Sequence, residues 1–472
     1  YPTISKMCEY ISQCNNGGKI TESAQAMHRQ NHVPVSSYSS PIYECVLEVL
    51  SGTSNELQRP ITADTIRVLP YERRLILDVK EKAFPILNVG SYLDSITTFD
   101  WRGFGMGKTE AVSMDPQQRI LLHCSASMFP LRCPTTQMSV FIGIAWMEYD
   151  KLTRINDTTH QYIPRATSHA LSVASGRISF TFDLKGPSVS VDTACSSSLV
   201  ATHLGLISVT QDGCKLSLAG GVNLILTEYT TVMFANAGML APDGRCKTLD
   251  TRADGYVRAE SCDVSVLRAV VKAKNDRTQI CGTAVNQDGR TSSLTAPNGP
   301  SQTRVIVSAL SNAEVPSAHV QTLEMHGTGT ALGDPIEVGG ALCILGRVNV
   351  FEFHALKTSV GHAECAAGMA GLIRASRALE SKRSPGMMHM CSLSTHVLHS
   401  MSTSTQHTAE VHVARAPTIS CTCDGKASPP YGGISSFAFQ GTNAHVLLAS
   451  RDFTVTCTYK CLHMNNSLFY DL

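Results

Sequence analysis

Cys195 lies in the run Val191-Asp192-Thr193-Ala194-Cys195-Ser196-Ser197-Ser198. Its local setting makes it a candidate nucleophile. Ser188-Val189-Ser190-Val191 alternates as a strand, and Leu199, Val200, Leu204 and Ile207 then recur on one side of a helix that ends near Asp212-Gly213. The cysteine therefore falls at a strand-to-helix turn, at the positive end of a helix dipole and near unpaired backbone amides. Such a setting favours the thiolate and lowers the thiol pKa. Small neighbours let a substrate reach the sulfur and let amides face an oxyanion. The alternative is an inert buried cysteine.

Two histidines are further candidates, and the first shares the strand-end design of Cys195. His326 follows the alternating stretch Val320-Gln321-Thr322-Leu323-Glu324-Met325 and opens His326-Gly327-Thr328-Gly329-Thr330. Glycines at 327, 329 and 333 imply a tightly turned loop. Asp334-Pro335 is expected to start the next helix, with Asp capping and Pro in the first turn. His362 lies in Lys357-Thr358-Ser359-Val360-Gly361-His362-Ala363-Glu364-Cys365, ahead of a stretch rich in Ala and Gly through Gly371. That stretch reads as a closely packed central helix with His362 at its entrance and Lys357 as a nearby positive charge. Each histidine has a structural alternative, a capping or core role. Ser435 to His445 is a fourth small-residue turn; its backbone offers an oxyanion donor, or it is simply a tight turn.

The elements that must position these groups form a texture of short strands, Gly-containing turns and helices from about Gly90 to Leu448, the pattern of an α/β protein. A helix is expected near Tyr43 to Leu50, and a long surface excursion over 384–428, rich in Ser, Thr, His and Pro. Gly103-Phe104-Gly105-Met106-Gly107-Lys108-Thr109 only resembles a phosphate loop. The first required glycine is Arg102, and no convincing strand precedes it.

Composition narrows the function classes. Apolar residues make up 43% and charged residues 16%, as in a globular protein that buries a large core. A formal charge of +1 leaves no excess for phosphate neutralisation, so nucleic acid is not an expected partner. No window is long and apolar enough for a membrane span, and no secretory signal is visible. The 17 cysteines are scattered. Neither Cys421-Thr422-Cys423 nor Cys457 to Cys461 pairs with a second CxxC at zinc spacing, so no metal is expected and reduced thiols are. The expected location is the cytoplasm, or a plastid if a transit segment precedes Tyr1.

Taken together, the motifs resemble the β-ketoacyl synthase family, especially ketosynthase domains of polyketide synthases. The resemblance rests on Met114-Asp115-Pro116-Gln117-Gln118-Arg119, Gly186 to Cys195, Gly238 to Lys247, Ala284-Val285-Asn286-Gln287-Asp288-Gly289 and the two histidine runs. It implies a thiolase-like α/β fold of two similar halves in five αβαβα layers, usually a homodimer. It divides the chain into a divergent segment 1–88, a half 89–270 with the nucleophile, a half 271–450 with the histidines, and a tail 451–472.

The activity implied is an acyltransferase one, decarboxylative Claisen condensation in polyketide or fatty acid biosynthesis. Cys195 would accept an acyl group from a carrier-protein or coenzyme A thioester. Neutral His326 and His362 would bind the malonyl-type extender. Lys357 would support the histidines, and the amides of Cys195 and Phe439 would stabilise the oxyanion. Thr328 and Thr330 would hold the 4'-phosphopantetheine arm of an acyl carrier protein, with no cofactor bound by the chain itself. An inactive ketosynthase-like partner or scaffold is the other implied reading. Four departures stand out: Ala438, Gln440, Ala259 and Ser261 replace family glycines, which suggests strain where unusual φ is required. The family's buried first strand is also not found between Met27 and Tyr43.

Overall fold

A computed structural model describes residues 44–48, 64–71, 73, 88–129 except 95, 137–156, 165–270, 278–345, 350–404 except 382 and 385, 410–413, 418–419 and 431–450. All lie within the unit Tyr43–Leu472.

Eleven strands form the main sheet: β1 Glu44–Glu48, β2 Met138–Gly143, β3 Ser188–Val191, β4 Leu216–Asn223, β5 Ser261–Val270, β6 Gln279–Gln287, β7 Val320–Glu324, β8 Val350–His354, β9 Glu410–His412, β10 Tyr431–Phe437 and β11 Thr442–Ala449. Their order is β9-β8-β7-β10-β11-β6-β1-β5-β4-β2-β3. The pairing pattern repeats. From β3 inward through β2, β4, β5 and β1 the pairs run parallel, parallel, antiparallel, antiparallel. From β8 inward through β7, β10, β11 and β6 they run the same way. A short antiparallel ladder between β1 and β6 joins the two halves.

Six helices complete the layers: α1 Pro116–Met128, α2 Leu171–Thr181, α3 Ser197–Thr210, α4 Gly299–Asn312, α5 Gly333–Leu342 and α6 Ala367–Ser381. Helices α3 and α6 touch each other and strands of both halves, so they form the middle layer. Helices α1 and α2 cover the first half; α4 covers the second, with α5 packed beside it. The arrangement is αβαβα. Strands covered on both faces need apolar or small residues at every position. β2 and nearly all of β4 and β11 are buried throughout. Close approach of the middle helices depends on Gly368, where a Cβ would stand 2.6 Å from Leu199 Cγ.

Three expectations change. Of the helix expected near Tyr43 to Leu50, the described residues, Glu44–Glu48, are instead a strand between β5 and β6, at the centre of the sheet. Three apolar residues between glutamates are too few to show a period, and partners more than two hundred residues away decide the outcome. A central strand is therefore present just beyond the segment searched for it; residues 27–43 lie outside the described residues. Within 384–428, a helix Thr395–Ser404 packs on α5 with Val397 fully buried, and β9 extends the sheet edge, so the excursion is partly built into the fold. Finally, α5 starts at Gly333, and Asp334 does not cap it. Its carboxylate accepts from Leu249 N at 2.8 Å and Gly329 N at 3.2 Å instead, bracing the loop after β7.

Candidate active site

Strands β3 and β8 occupy matching places in the two halves, and each leads to an elbow. After β3, Ala194 takes φ +52° and heads a 3-10 turn, Ala194–Ser196, that feeds α3. After β8, Glu364 takes φ +44° and heads the 3-10 turn Glu364–Ala366 that feeds α6. Non-glycine residues rarely adopt this conformation, so both elbows need external bonds. In the first, Ala194 N donates to Asp192 Oδ1 at 3.0 Å, Thr193 N donates to Ser197 Oγ at 2.9 Å, and Ser197 Oγ donates to Ala194 O at 2.6 Å. Ser436 of β10, fully buried, donates to Cys195 O at 2.7 Å and ties this elbow to the other half.

His362 is buried at the second elbow. Its backbone N donates to Val257 O at 2.7 Å, and its carbonyl accepts from Ala259 N at 2.9 Å. Its ring Nδ1 accepts from Glu364 N at 3.3 Å. The ring proton therefore sits on Nε2, which faces Cys195 Sγ at 3.1 Å. His326 stands edge-on to this ring, with centroids 5.5 Å apart. Its loop is held by Glu337 of α5, whose carboxylate accepts from His326 N at 2.7 Å and Gly327 N at 2.9 Å. Gly327 at φ +47° and Gly329 at φ +75° let this loop turn back. Thr328 and Thr330 follow on it, both half-buried; the Thr330 hydroxyl accepts from Gly333 N at 3.1 Å.

The electrostatics set protonation states. Burial, then the Lys357 charge, hold His326 and His362 well below the usual imidazole range; each imidazole is a neutral hydrogen-bonding group at neutral pH. Burial lowers the Lys357 pKa, against the carboxylates of Glu324 and Glu337. The Cys195 thiol departs from expectation. Burial and the Glu364 charge push it up to about 12, against Lys357 and hydrogen bonds from the amides of Phe439 and Cys195 itself. A helix start alone would lower it, but desolvation by burial outweighs the local dipole. One donor atom each from Cys195, His326 and His362 lie within 4.8 Å of one another. These are donor types that suit zinc, and the nearby Lys357 charge opposes a dication there.

The glycine replacements cause no strain. Ala438, Gln440, Ala259 and Ser261 all keep ordinary negative or extended φ; the left-handed residue of the β10–β11 turn is Gly441, at +95°. Ala259 is buried among Ala363, Ala366 and Ala367, beneath His362. Among residues that the motifs left without a role, Ser436 and Glu337 bond directly to the elbow and the His326 loop. The pair Arg258 Nε–Glu364 Oε1 at 2.6 Å, buried on both sides, fixes the second elbow. The available signal was polar residues inside apolar runs and a glutamate closing each histidine motif.

Comparison with known proteins agrees with this geometry. The β-ketoacyl synthase N-terminal domain matches residues 63–273 and its C-terminal domain residues 277–391. The chain is 38% identical over 371 residues to erythronolide synthase EryA2 of Saccharopolyspora erythraea, covering 76% of this chain and 10% of the relative. It is 38% identical over 386 residues to the mycoketide-CoA synthase of Mycobacterium tuberculosis, covering 79% of this chain and 9% of the relative. The chain thus spans a small part of these relatives' lengths. Among solved structures, the ketosynthase from module 6 of the bacillaene synthase of Bacillus subtilis 168 superposes with a TM-score of 0.76 at 27% identity, over 87% of this chain and 72% of that one. The chain belongs to the β-ketoacyl synthase family, as a ketosynthase of the polyketide-synthase type with the thiolase-like fold.

Proposed function

We propose that this chain catalyses decarboxylative Claisen condensation through an acyl-Cys195 intermediate. The observation that carries the reading is the Cys195 Sγ–His362 Nε2 contact of 3.1 Å, with His326 beside it. Cys195 attacks an acyl thioester; its sulfur–acyl bond forms, the donor's carbon–sulfur bond breaks, and the thiol proton leaves on the departing pantetheine thiol. The amides of Cys195 and Phe439 stabilise the oxyanion. A malonyl-type thioester then binds with its carbonyl toward His326 and His362. Carbon dioxide leaves, and the bonding electrons pass into an enolate held by the imidazole N–H donors. The enolate carbon attacks the acyl-Cys195 carbonyl and expels the Cys195 thiolate, which regains a proton. Splitting the reaction this way replaces one difficult step with two easier ones.

Burial, and then the Lys357 charge, support the reading by keeping both imidazoles neutral. Thr328 and Thr330, on the His326 loop, would hold the phosphopantetheine arm of an acyl carrier protein or of coenzyme A. A homodimer is proposed through the edge of β3, the outermost strand on that side among the described residues, where Val189 is 43% exposed and Phe180 of neighbouring α2 is 85% exposed. Free cysteines suit a cytoplasmic site of action. Among the described residues no helix is long and apolar enough to cross a membrane.

Intact-mass measurement after incubation with an acyl thioester tests the reading. One acyl adduct is expected on the wild type and none on Cys195→Ala. No adduct on folded wild type would end the catalytic reading, and an adduct on Cys195→Ala would end the nucleophile assignment.

A further inference from the structure

The turn that carries Phe439 is restrained by a side chain outside the reacting groups. Gly441 N donates to Ala438 O at 2.8 Å and closes a β-turn with Phe439 and Gln440 at its centre; Ala438 N donates to Thr442 O at 2.9 Å below it. Backbone bonds at the base leave the two central residues free to rock. Gln440 folds back across this turn. Its Oε1 accepts from Thr442 N at 2.9 Å and from the Thr442 hydroxyl at 3.0 Å. From the other side, Gln287 Nε2 donates to the Gln440 carbonyl at 3.0 Å and lies 3.4 Å from Gln440 Oε1. Gln287 ends β6, directly opposite Thr442 in register. Asp288 N donates to Gly441 O at 2.9 Å, which adds a backbone bond to the same junction. The turn is thus clasped from within its own hairpin and from the adjoining strand.

We propose that Gln440, clasped by Gln287, is a positioning residue that holds the turn carrying the Phe439 amide toward Cys195. This rests on reading Cys195 as the nucleophile and the Phe439 amide as one of its two oxyanion donors. Phe439 is 38% exposed, so its own packing does little to fix the peptide that bears the amide. The polar clasp supplies that restraint. The atom that matters on Gln440 is the acceptor Oε1, so a carboxylate can replace it and an isosteric apolar side chain cannot.

Three variants test the clasp: Gln440→Leu, Gln287→Leu and Gln440→Glu. Losing a whole oxyanion donor costs about 10²–10³ in rate, so a loosened one is expected to slow acyl-Cys195 formation by about tenfold in each leucine variant. KM for the acyl thioester stays within about twofold, because the donor acts on the transition state. The pH profile of Cys195 alkylation moves upward, since the Phe439 amide favours the thiolate. Gln440→Glu recovers the acylation rate, and the double leucine variant is no slower than either single one. Wild-type rates with an unshifted alkylation profile in both leucine variants would overturn the proposal, as would a loss that Gln440→Glu does not recover. If Gln440→Leu does not fold, Gln287→Leu decides alone. Failure of the wild type to form any acyl adduct is a different result and strikes the nucleophile reading instead.

Discussion

His362 is expected to act by donating a hydrogen bond, and replacing it separates that role from proton transfer. Its Nδ1 accepts from Glu364 N at 3.3 Å, which leaves the ring proton on Nε2, 3.1 Å from Cys195 Sγ. Burial and the nearby Lys357 and Arg258 charges keep the ring neutral. A neutral ring with its second nitrogen already accepting has one thing to offer a developing enolate, its Nε2–H. Removing one such preorganised donor costs about 2.7–4 kcal/mol, or about 10²–10³ in rate. His362→Ala should lose that much in malonyl decarboxylation while still forming the acyl enzyme. His362→Gln keeps an N–H at similar reach and should recover at least about tenfold of the loss. The assay is carbon dioxide release from malonyl thioester on enzyme already acylated, with acylation followed separately by intact mass. Because the histidine pKa lies well below its usual value, the wild-type to Gln ratio should be flat between about pH 6 and 8. A glutamine variant no better than alanine, or a ratio that breaks near the ordinary imidazole pKa, would refute the donor assignment.

Further outcomes follow from other contacts. Ser436→Ala leaves the Cys195 carbonyl without its 2.7 Å donor and should cost about 1–3 kcal/mol of stability, read as a lower Tm; an unchanged Tm would show that the first elbow holds itself. Gly368→Ala opposes two effects: alanine favours a helix by about 1 kcal/mol, but its Cβ would meet Leu199 Cγ at 2.6 Å. Overpacking costs about 1–3 kcal/mol, so Tm should fall, and a rise would refute the close packing of α3 on α6. Burial raises the Asp115 pKa to about 7 from 3.8. The native state then keeps a proton that the unfolded chain has lost, so this group's contribution falls as pH rises from about 4 to 7. Asparagine still accepts from Gln117 N as Asp115 does at 2.7 Å, so Asp115→Asn should stabilise at pH 8 by up to about 4 kcal/mol and little at pH 4. Equal effects at both pH values, followed by thermal unfolding, would refute a buried protonated carboxyl.

What was legible in the sequence was local. Cys195 and His326 each follow a strand beside small residues, His362 precedes a helix rich in small residues, and the structure brings one donor atom from each within 4.8 Å. What was not legible depends on distant partners. Cys45-Val46-Leu47 carries no period of its own, and its strand character comes from the ladder with Val266 to Val270. The thiol pKa was misjudged because the helix dipole is local and legible, whereas the burial that outweighs it comes with the folded structure. Asp334 precedes a proline and so reads as a cap, whereas its partners, Leu249 and Gly329, lie outside the helix. Gln440 reads as a misplaced side chain until Gly441 is seen to carry the positive φ and Gln287 to stand across from it.

The repeated pairing pattern explains why the site lies where it does. A strand followed by an elbow and a middle-layer helix occurs once in each half, ending at Cys195 in one and at His362 in the other. Packing α3 against α6 brings the two elbows together, and each is completed by the opposite side: Ser436 of β10 holds the Cys195 carbonyl, while Val257 and Ala259, ahead of β5, hold the His362 backbone. Neither half can therefore build the Sγ–Nε2 contact alone. The burial that follows from this arrangement keeps the histidines neutral and also keeps the thiol protonated. Amide donors and the Lys357 charge must then do what a local helix start does in a more open site. That is why the restraint on the Phe439 turn has consequences for Cys195: in an enclosed site, each donor aimed at the sulfur offsets desolvation directly, and a donor that drifts leaves the thiol with fewer groups to stabilise its charge.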